Sequence, residues 1–157
     1  MTSPSTDLGG TAELRAANRA VVEAFFSSNL ENPGERVALW HPQGVKELPF
    51  APSDLPKSRW EGRGDIVANT HANAGMFENV VHTDLEIHEC VDPGLFFVTS
   101  RTVPEARFLG EPYPQSFIHM IRVEDGAVIL QREYFDSLIL AGAERAARAK
   151  GRTAIAS

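Results

Sequence analysis

Residues 115 to 136, QSFIHMIRVEDGAVILQREYFD, restrict the fold more than any other stretch, because they read as two strands meeting at Glu124-Asp125-Gly126. Both arms are rich in β-branched and aromatic residues, and Asp-Gly between such arms marks a hairpin connection. Side chains alternate between the two faces of a strand, so a slip of one residue exchanges inside for outside along its length. A two-residue turn at Asp125-Gly126 sets Ile118 opposite Glu133 and points His119 away. A three-residue loop, with Gly126 left-handed as a bulge, gathers Phe117, His119, Ile121, Val123, Ile129, Gln131, Glu133 and Phe135 on one face. Ser116, Ile118, Met120, Arg122, Val128, Leu130, Arg132 and Tyr134 then share the other. Arg122 and Arg132 belong in water, which favours this second register. It makes His119 and Glu133 diagonal neighbours among apolar groups, a candidate acid/base pair.

A chain of 157 residues fits one domain, here residues 11 to 148, able to bury roughly two-thirds of its unfolded surface. The first ten residues are Ser, Thr, Pro and Gly-rich and are expected to be disordered, and residues 149 to 157 to fray. Fifteen Lys and Arg against 21 Asp and Glu give a formal charge of -6 and no basic stripe, which argues against nucleic acid or an anionic membrane as partner. No apolar run approaches the roughly 20 residues of a membrane span. The polar start lacks the charged segment and apolar core of a signal peptide, and a lone cysteine, Cys90, fits a reducing cytoplasm.

From Thr11 a helix is expected to about Asn29, with Leu14, Val21, Val22, Phe25 and Phe26 at helical spacing. Asn32-Pro33-Gly34-Glu35 then opens a short helix carrying Val37, Leu39 and Trp40. Residues 45 to 52 read as an extended edge segment closed by Pro49 and Pro52. A second long helix, from about Gly64 to Phe77, puts Ile66, Asn69, Thr70, Asn73 and Phe77 on one face with His71 to one side. Asn is a mediocre helix former, so Asn69 and Asn73, one turn apart, point to a role on that inward face. Two long strands follow, 80 to 91 and 95 to 103. In the first, Thr83, Leu85 and Ile87 alternate with His82, Asp84, Glu86 and His88, a strand with one wet face. An Ala-rich helix follows Asp136. Helices followed by four long antiparallel strands supply an α+β cone: a curved antiparallel sheet wrapped around the N-terminal helices, with an apolar interior open at one end to a small molecule.

Four segments now carry a family likeness. Glu47-Leu-Pro-Phe-Ala-Pro52, Trp60-Glu-Gly-Arg-Gly-Asp65, Arg122-Val-Glu-Asp-Gly126 and Arg132-Glu-Tyr-Phe-Asp136 together resemble the SnoaL-like branch of the nuclear transport factor 2-like superfamily, over residues 11 to 140. Within it, Glu13-Leu-Arg-Ala-Ala-Asn-Arg19, Phe117-Ile-His-Met-Ile121 and Arg132-Glu133-Tyr134 look most like the phenazine-biosynthesis A/B proteins. The resemblance implies a cone-shaped α+β fold, a homodimer, and cofactor-free acid/base chemistry on a small molecule, as in polyketide cyclases, dehydratases, ketosteroid isomerases and epoxide hydrolases. It puts the last-strand carboxylate of the phenazine proteins on Glu133 and their strand histidine on His119. Their helix histidine falls on Asn69 and a nearby serine on Asn73, a departure from the phenazine pattern.

A carboxylate walled in by Phe117, Ile129 and Phe135 is costly to ionise, which suits a general acid or base. Glu133 is therefore the first catalytic candidate, against the alternative of a surface Glu paired with Arg132 or Arg122. His119 either shuttles a proton with it or is a satisfied core histidine. Asn69, His71 and Asn73 are candidates for binding a carbonyl or hydroxyl; Gln131, Phe117, Phe135, Trp40 and Tyr113 for lining the pocket. Glu47 either reaches the cavity mouth or is a charge guarding an edge strand. His41, His82 and His88 receive no role. Metal-ligand spacing, a Gly-rich phosphate loop and a nucleophile elbow are all missing, which points to proton transfer without a cofactor. The leading expectation is an enzyme of secondary-metabolite biosynthesis that cyclises, isomerises or dehydrates a polyketide-like or aromatic metabolite. Phenazine-type imine condensation and non-catalytic binding stand as the alternatives.

Overall fold

The computed structural model describes residues 8–28 and 34–153, and its elements follow the expected order. They are α1 (Leu8–Ser27), α2 (Gly34–Ala38), β1 (Trp40–Glu47), β2 (Arg59–Glu61), α3 (Arg63–Ala74), β3 (Phe77–Glu78), β4 (His82–Glu89), β5 (Leu95–Thr102), β6 (Arg107–Phe108), β7 (Glu111–Pro112), β8 (Ser116–Glu124), β9 (Ala127–Phe135) and α4 (Ser137–Ala149). Six strands form one curved, unclosed sheet in the order β2-β1-β9-β8-β5-β4, and β3-β6-β7 form a small second sheet. Neighbours in the large sheet are antiparallel except β1 and β9, which run parallel. The fold is thus the α+β cone, with this one departure from the antiparallel pattern.

α1 lies along the inner face of the sheet. Its Val22, Phe25 and Phe26 are buried against Phe96, Val98, Ile121, Val123 and Val128, and each such burial stabilises by roughly 2 to 3 kcal/mol. The other half of the helix is anchored at the β4–β5 turn, where Asn18 Nδ2 donates to Pro93 O at 3.1 Å and Arg15 Nη2 to Val91 O at 2.9 Å. A second apolar cluster, with Phe108, Tyr113, Phe117, Phe135 and Ala143, joins the small sheet to α4. Gln115 fixes the entry to that helix by accepting from Asp136 N and donating to Asp136 O, both at 2.9 Å, while the Asp136 carboxylate caps Leu138 N. No helix of the described residues is long and apolar enough to cross a membrane.

The hairpin closes differently from the expected bulged turn. Glu124 pairs with Ala127, so the turn is Asp125-Gly126 alone, both with positive φ (51° and 73°), as a type I′ connection requires. The extra residue is Ile129, taken up within β9 where the register shifts between Arg122 and Val123. Beyond it His119 stands directly opposite Glu133, not diagonal to it. Before it Val128 replaces Ile129 on the inner face and is fully buried. The bulge therefore delivers the expected face for the acid and the imidazole by another route.

Other boundaries also move. β1 begins at Trp40, which the short helix was expected to hold, and ends at Glu47 before Pro49. α3 stops at Ala74, leaving Phe77 to β3. α1 already includes Leu8 to Gly10 of the segment expected to be disordered; residues 1–7 and 154–157 fall outside the described residues. After α4, Gly151 has φ 73° and Arg152 N returns to Ala147 O at 2.9 Å. Lys150 and Arg152 then pair with Glu111.

Candidate functional site

Bulges decide which polar groups enter the hollow of the cone. On β4 the register slips by one residue at Asp84, whose φ is 52°, so that His82 pairs with Thr102 while Glu86 pairs with Thr99. Ile87 and His82 consequently both face inward, although five positions apart on a two-residue alternation. His82, assigned by alternation to the wet face, is in fact buried. Its Nδ1 lies 2.9 Å from Ser100 Oγ. On β1 the parallel register places Lys46 beside Gln131, and both line the cavity, as does Glu133 two residues further along β9.

The resulting cavity has a volume of about 120 Å³. Phe25, Trp40, Phe77, Phe117, Phe135 and Leu140 supply apolar wall, while Arg36, Lys46, His82, Tyr113, Gln131 and Glu133 supply polar groups; Thr70 and Asn73 enter from α3. A mostly apolar hollow with a few converging polar groups is the usual form of a small-molecule site.

Glu133 sits in this hollow with no hydrogen bond from any described residue, its Oε1 3.9 Å from His119 Nδ1. That imidazole is fully buried, stacked on Phe117 and edge-on to Phe26 and His82. Burial, then the positive charges nearby, hold its pKa well below the ordinary 6.5, so it is neutral and makes no ion pair with Glu133. Its Nδ1 meets Gln131 Nε2 at 3.2 Å, and Nε2 has no partner. His119 is therefore not among the residues that line the cavity and meets Gln131 from behind its wall. His82, also desolvated, is brought down to about 3 and is likewise neutral.

Arg36 is the group that sequence reasoning missed most completely. It is buried, its Nε donates to Phe25 O at 3.2 Å, its guanidinium stacks 4.3 Å from the Phe25 ring centroid, and its Nη2 has no partner. Desolvation lowers its pKa to about 10, partly offset by the charge of Glu133, so it stays a cation at neutral pH. Lys46 is half-buried, with Nζ 3.4 Å from Asn69 Oδ1 and 5.5 Å from the Trp60 ring centroid. Desolvation lowers its pKa too, Glu133 opposing this and Arg36 adding to it. Burial pushes the Tyr113 hydroxyl up, keeping it a neutral donor.

Of the expected site residues, Glu133, Gln131, Asn73, Trp40, Tyr113, Phe117 and Phe135 line the cavity. Asn69 reaches it only through Lys46. His71 does not: it is exposed on the outer side of α3. Neither does Glu47, which alternation turns to the opposite face from Lys46, where Arg132 Nε meets it at 2.6 Å and Arg59 also pairs with it. Among the described residues no three His, Cys, Asp or Glu side chains are grouped to hold a metal ion.

Comparison with known proteins bears on the fold and the family. No protein-family model matches the sequence. A phenazine biosynthesis-related protein of Pseudomonas aeruginosa superposes with a TM-score of 0.71 at 19% identity, over 86% of this chain and 89% of the other. A candidate polyketide cyclase from Xanthomonas campestris gives 0.65 at 14% identity, over 83% and 98%. With a nuclear transport factor 2-like protein of Burkholderia xenovorans, which gives 0.62 at 19% identity over 82% of this chain and 95% of that one, they show that the chain has this fold. An uncharacterised PhzA/B-like protein of Pseudomonas aeruginosa is 33% identical over 114 residues, 70% of this chain and 79% of its own length. The chain belongs to the PhzA/B-like family.

Proposed function

We propose that the protein is a cofactor-free acid/base enzyme that isomerises, cyclises or dehydrates a small carbonyl-bearing metabolite in a biosynthetic pathway. The observation that carries this reading is Glu133, a carboxylate in an apolar hollow to which no described residue donates a hydrogen bond, facing the same space as Arg36 and Tyr113. A base that is not already engaged can take a proton from carbon or hydroxyl, and a positioned general base contributes about 10² to 10⁴ in rate. Arg36 and Tyr113 supply the charge and the donor that a developing oxyanion needs, fixed in advance by burial. Asn73 and Gln131 orient the remainder of the ligand. Related structures named for phenazine biosynthesis and, as a candidate, polyketide cyclisation support small-molecule chemistry as the setting.

Phenazine-type condensation is the second reading, favoured by family membership. Against it, α3 brings Thr70 and Asn73 to the cavity and no imidazole. Assembly follows the same line of proposal: the outer sheet face exposes Ile118 (49%) and Phe97 (37%), and a second copy of the chain covers it. Light scattering on wild type and Ile118→Lys tests this, a dimer becoming a monomer.

The chemistry is tested without knowing the substrate. Small cyclic ketones and 2-oxo acids are incubated with the protein in D2O and followed by NMR for exchange of the hydrogen next to the carbonyl. Wild type should catalyse exchange and Glu133→Gln should not. Ligand-induced chemical shifts without exchange would indicate a binding protein.

A further inference from the structure

The chain has three lysines. Lys57 is exposed and pairs with Asp65 at 2.7 Å, and Lys150 is exposed and pairs with Glu111 at 2.5 Å. Lys46 differs from both. It points from β1 into the cavity between Gln131 on the neighbouring strand and Trp60 on the other side. Its ammonium has no carboxylate within ion-pair distance among the described residues and one long contact, to Asn69 Oδ1 at 3.4 Å. A lysine withdrawn from water, beside a second cation and without a counter-ion, holds a larger unprotonated fraction than an ordinary surface lysine, and this is how amine nucleophiles are activated. The lowering of its pKa by burial and by Arg36 agrees with that.

We propose that Lys46 is a covalent nucleophile, forming an imine with the carbonyl carbon of a small oxo acid whose carboxylate is held by Arg36. This deepens the reading of the cavity as a carbonyl site and does not require that Glu133 be the sole source of rate. The lone pair of the Lys46 amine attacks the carbonyl carbon as the C=O π pair moves to oxygen, which takes up the proton released by nitrogen. The carbinolamine then loses its hydroxyl as water, taking the proton that Glu133 received from the Lys46 ammonium when the free amine formed, and leaves a cationic C=N bond. Glu133, now a carboxylate, accepts the proton from the adjacent carbon as its electrons move towards that cation, giving an enamine. The sum is amine plus ketone giving the enamine, a tautomer of the imine, plus water, with no oxidant or reductant. Arg36, a buried cation without an ion-pair partner among the described residues, supplies the charge that the acid group needs.

The full chain is incubated with pyruvate and sodium cyanoborohydride, which fixes an imine as a stable secondary amine, and then digested and mapped by mass spectrometry. Modification should fall on Lys46, saturate with pyruvate, and run at least an order of magnitude faster than at Lys57 or Lys150. Lys46→Arg, checked by thermal melting for folding, should lose it. Arg36→Met should abolish the preference for pyruvate over propanal while Lys46 remains modifiable. Equal labelling of the three lysines, or an unmodified Lys46 in wild type, overturns the proposal, and the wild-type map decides even where a variant does not fold. Exchange in D2O that persists without Lys46 labelling would remove the nucleophile and leave Glu133 as base. Labelling without Glu133-dependent exchange would do the reverse.

Discussion

Glu111 and Glu133 both lie at the edge of apolar clusters, and their surroundings are opposite. Glu111 receives Lys150 Nζ at 2.5 Å and Arg152 Nη2 at 2.6 Å, while Arg152 Nη1 also donates to Leu109 O. Glu133 receives nothing, though two cations, Arg36 and Lys46, line the same hollow. At the first site charge closes on itself and ties the end of α4 to β7. At the second, Arg36 packs over the Phe25 ring and Lys46 over Trp60, and neither makes an ion pair with Glu133. Desolvating a charge without an ion-pair partner costs stability, so on the proposed reading the cavity groups are kept for chemistry, whereas the Glu111 cluster ties α4 to β7.

The largest effect on stability is expected from the cavity histidines. His82 takes a proton in the folded chain only near pH 3, whereas an unfolded histidine does so near 6.5. Between those values the unfolded state binds more protons, so stability falls with pH, by about 2 kcal/mol from pH 6.5 to 5 for this residue alone. His119 adds to the loss in the same direction. Thermal melts of His82→Gln across that range should show a flatter pH dependence than wild type.

Next comes Arg36→Met, which removes an unpaired buried charge and keeps an apolar side chain over Phe25. The variant should melt higher, by about 1 kcal/mol net after loss of the bond to Phe25 O, while losing affinity for anionic ligands. A lower melting temperature would make Arg36 a structural residue like Arg152. The smallest effect is expected from Glu111→Gln, which should lower the melting temperature at neutral pH. Hydrogen bonding from Lys150, aided by Arg152, depresses the Glu111 pKa. Its contribution is therefore present above the ordinary carboxylate range and fades as pH falls through the folded value, so wild type and variant should converge in acid.

The sequence makes the hairpin, the helices and the inward placement of Glu133 legible, because alternation and turn chemistry are local signals. It hides what depends on one-residue irregularities. His82 and Glu86 share one face of the strand by pattern, and only the slip at Asp84, a residue type that tolerates positive φ, turns His82 inward. The hairpin register comes out right on the inner face because the added residue, Ile129, lies on the same strand as the expected bulge would have lengthened. Arg36 is invisible for another reason. Its partners, the ring and carbonyl of Phe25, belong to α1, eleven positions away, and nothing beside it in the chain announces burial. Lys46 and Glu47 are adjacent on a strand, so one must face in. Arg59 and Arg132 decide for Glu47 facing out, and both lie far off in the chain.

On the proposed reading Glu133 is left unpaired for catalysis and not for folding. Exchange at carbon and thermal stability, measured on the same samples of wild type and Glu133→Gln, test it directly. The account predicts exchange lost by about two to four orders of magnitude with stability changed by no more than about 0.5 kcal/mol. Full exchange in the variant, or a large fall in its melting temperature, would contradict it.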